Sequence, residues 1–345
     1  MSGSDTATIK DLEVCADRLL EYARAAPSSD YRRLIGVRGE DQQALATRAQ
    51  HERARLGDDR LVIRASLEFS SHCRQMCSFC GMSARNKELT RYRLTLQEMS
   101  EVVRATIDLG VRDLHLASGE DRSFSADDIA RVAELAASLG MEVTLVVGQR
   151  ALSDYRTWFD AGARRYVLKL ETTSEPLFAA ARTGTRLRTR IAHLLYLREL
   201  GYKIGSGVIV GLPGQTLDDL VQDLTVLQSL APDMASVSRF LPNEVSALRG
   251  QPEGDHDTTL NFIALLRVCL GTRTLRIPAG ATLGHHQADA LLFGANVLSV
   301  HVTPSAVSDL YSADRITTRF VSGMAHVLKL ASEAGLSTTV VNVQR

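Results

Sequence analysis

The 345-residue chain is poor in aromatic residues and has no surplus of charge. Phe, Tyr and Trp make up 5% of it, and 40 basic side chains balance 40 acidic ones. Binding of nucleic acid depends on a basic surface, and often on aromatic rings on which bases stack. A neutral chain also offers little attraction to an anionic membrane surface. We therefore expect neither nucleic acid nor a membrane as a partner.

Membrane spans and a disulfide framework are missing as well. No run of about 18 apolar residues predicts a transmembrane helix, and the first residues do not follow the pattern of a signal peptide. Five cysteines in a chain of this length do not form a disulfide framework. We expect a soluble, cytoplasmic protein. Cys15 and Cys269 lie in apolar helical patterns, and we predict both to be small core residues.

From about residue 60 the chain alternates short β-branched runs with amphipathic stretches, which predicts repeated strand–helix units. The eight candidate strands are Leu61–Glu68, Asp113–Ala117, Glu142–Val147, Arg165–Leu170, Lys203–Val210, Met234–Ser238, Thr274–Ala279 and Val297–Val302. Such units give parallel strands joined by right-handed crossovers. We predict an α/β fold, a (β/α)8 TIM-type barrel that is closed or nearly closed, over residues 61–345.

Residues 1–60 have a different pattern from the rest of the chain. They hold two helical patterns, near 8–25 and 40–56, separated by the stretch APSSDYRRLIG. Both patterns carry apolar stripes that need a surface to pack on. We therefore predict an N-terminal helical cap packed on the barrel.

Cys73, Cys77 and Cys80 stand in a C-x3-C-x2-C run, the most informative feature of the chain. Three thiolates can hold three irons of a 4Fe–4S cube and leave the fourth iron without a protein ligand. Such an iron can bind and reduce a small molecule. The alternative is a zinc knuckle with His72 as fourth ligand, although zinc sites usually pair their ligands in two separated knuckles.

This spacing, with Phe79 directly before the last cysteine, resembles the radical S-adenosylmethionine (SAM) superfamily. There the open iron binds SAM, and one electron cleaves SAM to a 5′-deoxyadenosyl radical that abstracts hydrogen from a substrate. The resemblance implies a 4Fe–4S cluster on Cys73, Cys77 and Cys80, and SAM as the second cofactor. It also implies a small-molecule substrate and an electron donor such as flavodoxin or ferredoxin.

Two strand ends carry residues that resemble the SAM-binding elements of this superfamily. Ser118, Gly119 and Glu120 follow the second strand and resemble a Gly-Gly-Glu element that binds the SAM ammonium; an ordinary acidic helix start is the alternative. Glu171 ends the fourth strand, where an acid accepts hydrogen bonds from the ribose. Arg190 is then expected to pair with the SAM carboxylate, unless it is a surface arginine.

The fifth strand holds a glycine-rich segment. Gly207, Ile209 and Gly211 match the adenine-contacting GxIxGxxE element of the superfamily, with Gln215 near the usual acid. Its glycines permit close approach of the backbone to a flat ring. A phosphate-binding loop is the competing interpretation, but the segment lacks the Lys-Ser/Thr that such a loop needs.

Residues 60–311 as a whole resemble the biotin-synthase-like branch, with the closest likeness to the [FeFe]-hydrogenase maturation radical enzyme and methylornithine synthase. The segments that carry the likeness are LEFSSHCRQMCSFCGM, RYRLTLQEM, LASGED, RYVLKLETT, RELGYKIGSGVIVGLPGQTLDDL and FGANV. Sulfur insertion needs a second cluster with cysteines on barrel strands, and Ala117 stands on the second strand here. The resemblance therefore implies a small, amino-acid-like substrate that is rearranged, fragmented or changed at a carbon–carbon bond. Maturation of a metalloenzyme cofactor is the alternative, and sulfur insertion is the least favoured outcome.

The substrate end departs from these relatives. Arg239 ends the sixth strand, where its guanidinium fork suits a carboxylate. His285 and His286 follow the seventh strand and are candidates for substrate binding or proton transfer, or else for solvent-facing loop residues. Tyr311 and Arg165 are further candidates for the pocket.

Overall fold

The computed structural model describes residues 8–26, 29–57, 60–272, 275–311 and 321–340. In these ranges the helices are α1 (Ile9–Ala25), α2 (Ser29–Ile35), α3 (Gly39–Arg55), α4 (Leu96–Asp108), α5 (Ala126–Ser138), α6 (Leu152–Asp160), α7 (Glu175–Ala181), α8 (Leu187–Glu199), α9 (Leu217–Leu230), α10 (His256–Leu270), α11 (Gln287–Leu292), α12 (Ser305–Ser308) and α13 (Met324–Glu333), with a 3-10 turn at Ala281–His286. The strands are β1 (Arg60–Ser70), β2 (Met76–Cys77), β3 (Asp113–Ser118), β4 (Glu142–Val146), β5 (Ala163–Val167), β6 (Arg182–Thr183), β7 (Lys203–Val210), β8 (Met234–Arg239), β9 (Val297–His301) and β10 (Ser337–Thr338).

The main sheet curls with the strand order β10-β1-β3-β4-β5-β7-β8, and β9 also pairs with β1. All of these pairings are parallel. Seven of the eight predicted strands are confirmed as β1, β3, β4, β5, β7, β8 and β9. Helices follow most of them, as the alternating sequence pattern predicts. The carboxyl ends of the strands therefore meet at one end of the barrel.

The seventh predicted strand, Thr274–Ala279, forms no regular strand in the described residues. Residue 274 lies outside the described ranges, and residues 275–279 make only single bridges, from Arg276 to Met234 and from Pro278 to Val297. A proline has no amide hydrogen to donate to a ladder, which limits regular pairing here. The ladder of regular strands is thus open, not closed, and isolated bridges span the gap between β8 and β9.

Local sequence rules explain where several helices begin. Thr95 and Glu98 form a reciprocal capping box at α4, and Thr216 and Asp219 form another at α9. Strand β7 approaches β8 closely at Gly207, because this residue has no side chain. A Cβ at this position would lie 2.2 Å from the Ser236 carbonyl oxygen, so glycine is required there.

The N-terminal helices pack on the outer helices of the barrel. Helix α1 contacts α8 and α9, while α3 contacts α10. Two expectations were wrong in detail. The stretch between the two predicted helices itself contains helix α2. Cys15 is exposed, because α1 turns Leu12, Ala16 and Leu20 inward instead.

A buried amide joins these helices to the barrel. Asn261 of α10 is fully buried, and its Nδ2 donates to the carbonyl oxygens of Ile35 and Val37 at 3.0 and 2.9 Å. Its Oδ1 accepts from Gln42 Nε2 at 3.0 Å. Each buried carbonyl that loses such a donor costs free energy, because water does not reach it.

We predict that Asn261→Leu lowers the free energy of unfolding by about 2–4 kcal/mol, because two buried carbonyls lose their donor. Denaturant unfolding should show one transition in both proteins, with a lower midpoint in the variant. Gln97→Leu on the exposed face of α4 is the control. A separate transition for the N-terminal helices, or an unchanged midpoint, would contradict the prediction of a cap that folds with the barrel.

Candidate active site

The three clustered cysteines lie in the loop after β1, at the carboxyl end of the sheet. Cys77 is buried, while Cys73 and Cys80 are partly exposed, and all three line one cavity of about 250 Å³. The thiol of Cys73 accepts hydrogen bonds from the backbone amides of Gln75 and Glu120 at 3.4 and 3.3 Å. The loop is therefore tied to the end of β3 as well as to β1.

One arginine fixes the shape of the cysteine loop. Arg91 donates four hydrogen bonds, all to backbone carbonyls, at distances of 2.6 to 3.1 Å. The acceptors precede and follow the cysteines: Ser71, Met82, Ser83 and Asn86. A planar guanidinium with several fixed donors suits this task. The loop is thus held from its own flanks before any cofactor binds.

The loop after β3 approaches the cysteines so closely that only glycine fits at residue 119. A Cβ on Gly119 would lie 2.3 Å from the carbonyl oxygen of His72 and 2.7 Å from Cys73 Cβ. The next residue, Glu120, is 5% exposed. Its Oε1 accepts from the backbone amide of Gln149 at 3.0 Å, and its Oε2 from Gln75 Nε2 at 2.5 Å.

Glu171, beyond the end of β5, has an unusual backbone. Its φ is +68°, in the left-handed region that residues other than glycine seldom adopt. Its carbonyl accepts from Ile209 N at 2.7 Å, and its own amide donates to Gly207 O at 3.0 Å. These bonds hold the strained conformation and aim the carboxylate into the cavity, as strained residues at functional sites often do.

Two buried arginines face these carboxylates. Arg182 lies 3.5 Å from Glu120 and 3.8 Å from Glu171, and Arg190 lies 3.9 Å from Glu120. Strand β6 places Arg182 by pairing it with Cys77 of β2 in an antiparallel bridge. A fifth charged group, Lys169, lies 3.3 Å from Glu171 Oε2 and donates to Ser238 Oγ at 2.9 Å.

Burial shifts the pKa values of this group in a consistent way. Desolvation raises the pKa of the Cys77 thiol to about 11 and also raises that of Cys73, while Arg182 acts in the opposite direction on both. Burial, and then the nearby Arg182, lower the pKa of Arg190 to about 10, so Arg190 remains charged at neutral pH. Burial would also lower the pKa of Arg182, but Cys77, Glu171 and Glu120 together raise it.

Three polar atoms around the cavity form no hydrogen bond within the described residues, although Lys169 and Glu120 lie at ion-pair distance from two of them. They are Glu171 Oε2, Arg182 Nε and Arg190 Nη1, each buried and without a hydrogen bond. Buried polar atoms are usually bonded, so an acceptor and two donors left open at one cavity indicate a polar ligand. SAM fits this set, because it brings ribose hydroxyls for the acceptor and a carboxylate for the donors.

Most of the sequence candidates line this one cavity. They include Phe79, Ser118, Gly119, Glu120, Glu171, Arg190, Ile209, Arg239 and Tyr311. Gly211 does not line it: its φ is +92°, and a Cβ there would lie 2.2 Å from Gly254 Cα, so this glycine serves loop packing. Gln215 likewise supports the loop, accepting from the Gly211 amide at 2.7 Å.

Two candidates of the substrate end, His286 and Arg165, lie elsewhere, and a third cannot be placed. The side chain of His285 lies outside the described part of the molecule. His286 is 61% exposed and pairs with Asp289 outside the cavity. The expectation for Arg165 was wrong: it stands near the amino end of β5, where it pairs with Asp113 and Glu142 at the opposite end of the barrel.

Sequence reasoning missed Lys169 and Arg182 altogether. Lys169 stood in the quoted RYVLKLETT segment, two residues before Glu171, so its position on the strand end was available as a signal. Arg182 follows α7 in no recognisable motif, and only the β2–β6 bridge shows that it reaches the cysteines.

A parallel α/β barrel whose three clustered thiols and buried charges surround a cavity at the carboxyl ends of its strands is the framework of an enzyme. The chain belongs to the radical SAM superfamily, whose family profile matches residues 67–227. Members of this superfamily use a 4Fe–4S cluster and SAM, and they need a reductant. None of the helices in the described ranges is long and apolar enough to span a bilayer.

The chain is also similar to individual proteins of known name. The [FeFe] hydrogenase maturase subunit HydE of Thermotoga maritima is 38% identical over 273 residues, which cover 78% of each chain. The 3-methylornithine synthase of Methanosarcina acetivorans is 27% identical over 89% of this chain and 88% of its own. The crystal structure of methylornithine synthase (PylB) superposes with a TM-score of 0.83 at 23% identity, covering 93% of this chain and 97% of the other. The similarity to this crystal structure supports the assignment of the fold.

We predict that Gly119→Ala displaces the cysteine loop, because the new Cβ meets the His72 carbonyl and Cys73. Most of the iron should be lost after anaerobic reconstitution, measured as iron per chain. Gly280→Ala is the matched control, since a Cβ there meets no described atom closer than 3.8 Å. Wild-type iron content in Gly119→Ala would contradict this account of the loop.

Proposed function

We propose that Cys73, Cys77 and Cys80 hold the cluster, and that Glu171 and Arg190 bind the SAM ribose and carboxylate. The observation that carries this assignment is the set of unbonded buried atoms on Glu171, Arg182 and Arg190 around the same cavity as the thiols. When bound, the cluster and SAM supply one-electron cleavage that produces a carbon radical able to remove hydrogen from a substrate. The protein's own part is to orient SAM and to shield the reaction from water.

Glu120 contributes to SAM binding mainly indirectly in this proposal. Its carboxylate is already engaged by Gln75, Gln149 and the two buried arginines. It therefore positions Arg182 and Arg190 and leaves part of its capacity for the SAM ammonium. Ser118, Phe79 and Ile209 complete the SAM side of the cavity wall.

The substrate, in this proposal, is a small amino-acid-like molecule held through its carboxylate by Arg239. Arg239 lines the cavity, and its Nε donates to the Gly254 carbonyl at 2.6 Å. Its Nη2 lies 2.8 Å from Glu253 Oε2, a partner on the rim that is 36% exposed. These two contacts fix the position of the guanidinium, and Thr282 and Tyr311 line the same cavity. The reaction would be a rearrangement, a fragmentation or a change at a carbon–carbon bond.

A second function, assembly of a metalloenzyme cofactor, is favoured by the 38% identity to the HydE protein. In this case the cavity receives a precursor of the cofactor instead of a free amino acid. Restoration of hydrogenase activity in cells that lack their own HydE would support the second function, and failure to restore it together with amino-acid-stimulated SAM cleavage would support the first.

The principal test of the first function is the stimulation of SAM cleavage by free α-amino acids. The purified enzyme is reduced anaerobically, and 5′-deoxyadenosine is measured with a panel of amino acids and with their decarboxylated amines. We expect stimulation by one or a few of the acids and by none of the amines. Stimulation by the amines would refute the carboxylate clamp.

We predict that Arg239→Ala leaves SAM affinity unchanged but lowers substrate-stimulated cleavage about tenfold to a thousandfold, because a charged clamp worth about 1.5–4 kcal/mol is lost. Arg249→Ala, an exposed arginine of the same loop, is the matched control. Glu171→Gln should instead weaken SAM binding, with a loss of about 1–3 kcal/mol in the free energy of binding. Equal loss of both quantities in Arg239→Ala would assign Arg239 to the fold or to SAM.

The electron donor is proposed to be a flavodoxin or ferredoxin in the cytoplasm, docking beside the cysteine loop. Five exposed cations surround the outer side of this loop: Arg74, Arg85, Lys87, Arg93 and Arg122. Glu88 is the exposed acid among them. A basic face attracts an acidic carrier and raises its association rate.

We predict that the double change Lys87→Glu and Arg122→Glu slows cluster reduction by flavodoxin, since two attractive charges become repulsive. Reduction by dithionite should stay at the wild-type rate, which serves as the internal control. Stopped-flow absorbance measures both rates. If flavodoxin reduced the cluster of the variant and of the wild-type enzyme at the same rate, at low salt as well, Lys87 and Arg122 would not belong to the docking face.

A further inference from the structure

Three potential metal ligands from two segments of the chain converge at a site away from the cavity. His256 opens α10, His286 ends the 3-10 turn, and Asp289 lies in α11. Asp289 Oδ2 lies 3.4 Å from His256 Nε2 and 3.1 Å from His286 Nδ1. The two imidazole rings are 4.6 Å apart between centroids, and one donor atom of each residue lies within 4.8 Å of the others.

One of these contacts is a hydrogen bond: His286 Nδ1 and Asp289 Oδ2 lie 3.1 Å apart, within the usual N–H···O range. His256 Nε2, at 3.4 Å from the same oxygen, is an ion-pair neighbour outside that range. A tetrahedral zinc ion with bonds of about 2.0–2.1 Å separates its ligand atoms by about 3.3 Å. The two nitrogen–oxygen separations, 3.4 and 3.1 Å, bracket that edge length, and the donor atoms of the three residues all lie within 4.8 Å of one another.

We propose that His256, His286 and Asp289 bind a divalent transition-metal ion, with Zn²⁺ as the best match. Two imidazoles and one carboxylate form a ligand set that suits Zn²⁺. The side chains are 25%, 61% and 41% exposed, so the ion has an open path from solvent and a fourth position for water.

Such an ion would link elements that build one wall of the cavity. The 3-10 turn that ends at His286 also carries Thr282, whose Oγ1 accepts from the Arg239 amide at 3.2 Å. None of the three ligands lines the cavity itself. The ion therefore braces α10, the turn and α11 from outside, and its role is structural.

Equilibrium dialysis against Zn²⁺ tests this site in the cluster-loaded, full-length enzyme, whose occupied cysteines do not compete. Zinc and iron per chain are measured together by mass spectrometry. We expect one Zn²⁺ per chain, with binding weakened at least roughly tenfold in His286→Ala and in Asp289→Asn. His51→Ala and Asp108→Asn, two exposed positions in α3 and α4, are matched controls that should bind as wild type does.

Thermal unfolding supplies a second readout. Zn²⁺ should raise the melting temperature of the wild-type protein and of the controls, because an ion that binds only the folded state stabilises it. The two ligand variants should melt like wild type without Zn²⁺ and should gain nothing from it. Equal zinc affinity in wild type and ligand variants, or no saturable zinc binding in wild type at micromolar concentration, would overturn the proposal.

Discussion

Buried charges that must neutralise one another determine the structure of the active end of this barrel. Glu120, Glu171, Arg182 and Arg190 are each less than 10% exposed. A buried charge without a partner costs several kcal/mol, so none of these side chains can be placed independently of the others. Three loops and one short bridge are consequently held together, with the thiols of Cys73 and Cys77 close to charges of both signs. Three of the residues, Glu171, Arg182 and Arg190, keep a buried atom without a hydrogen bond, and all three line the cavity.

A second layer of polar contacts keeps these loops in place. Asp121 binds both Ser70 and Arg93 and so fixes the start of the cysteine loop. Asp223 is completely buried and accepts from the amide and hydroxyl of Thr173, next to Glu171. Burial raises the pKa of Asp223 to about 7 despite these bonds. A carboxyl whose pKa is raised on folding stabilises the fold most at low pH, and this contribution is lost as the pH rises towards 7. The geometry around Glu171 thus depends on a residue that touches no ligand.

The sequence predicted the parts of the molecule that follow local rules. Strand periodicity identified seven strands, and the spacing of the cysteines led to the family. The seventh predicted strand, Thr274–Ala279, failed because Pro278 and the bridges around it depend on the tertiary path of the chain. Arg165 was misplaced although it opens the predicted strand Arg165–Leu170, because the amino ends of parallel strands lie opposite the active end of such a barrel. Arg182 was missed because its position follows from pairing with Cys77, a contact between distant residues that no local motif encodes.

The central claim is that the three-thiol loop and the charged cavity perform one-electron cleavage of SAM. The most direct measurement is the formation of 5′-deoxyadenosine by the anaerobically reconstituted enzyme with SAM and dithionite. The account predicts about four irons per chain and 5′-deoxyadenosine formation that disappears when Cys73, Cys77 or Cys80 is replaced by alanine, while Cys15→Ala behaves as wild type. A wild-type enzyme that carries the cluster and releases no more 5′-deoxyadenosine than the cysteine variants would contradict it.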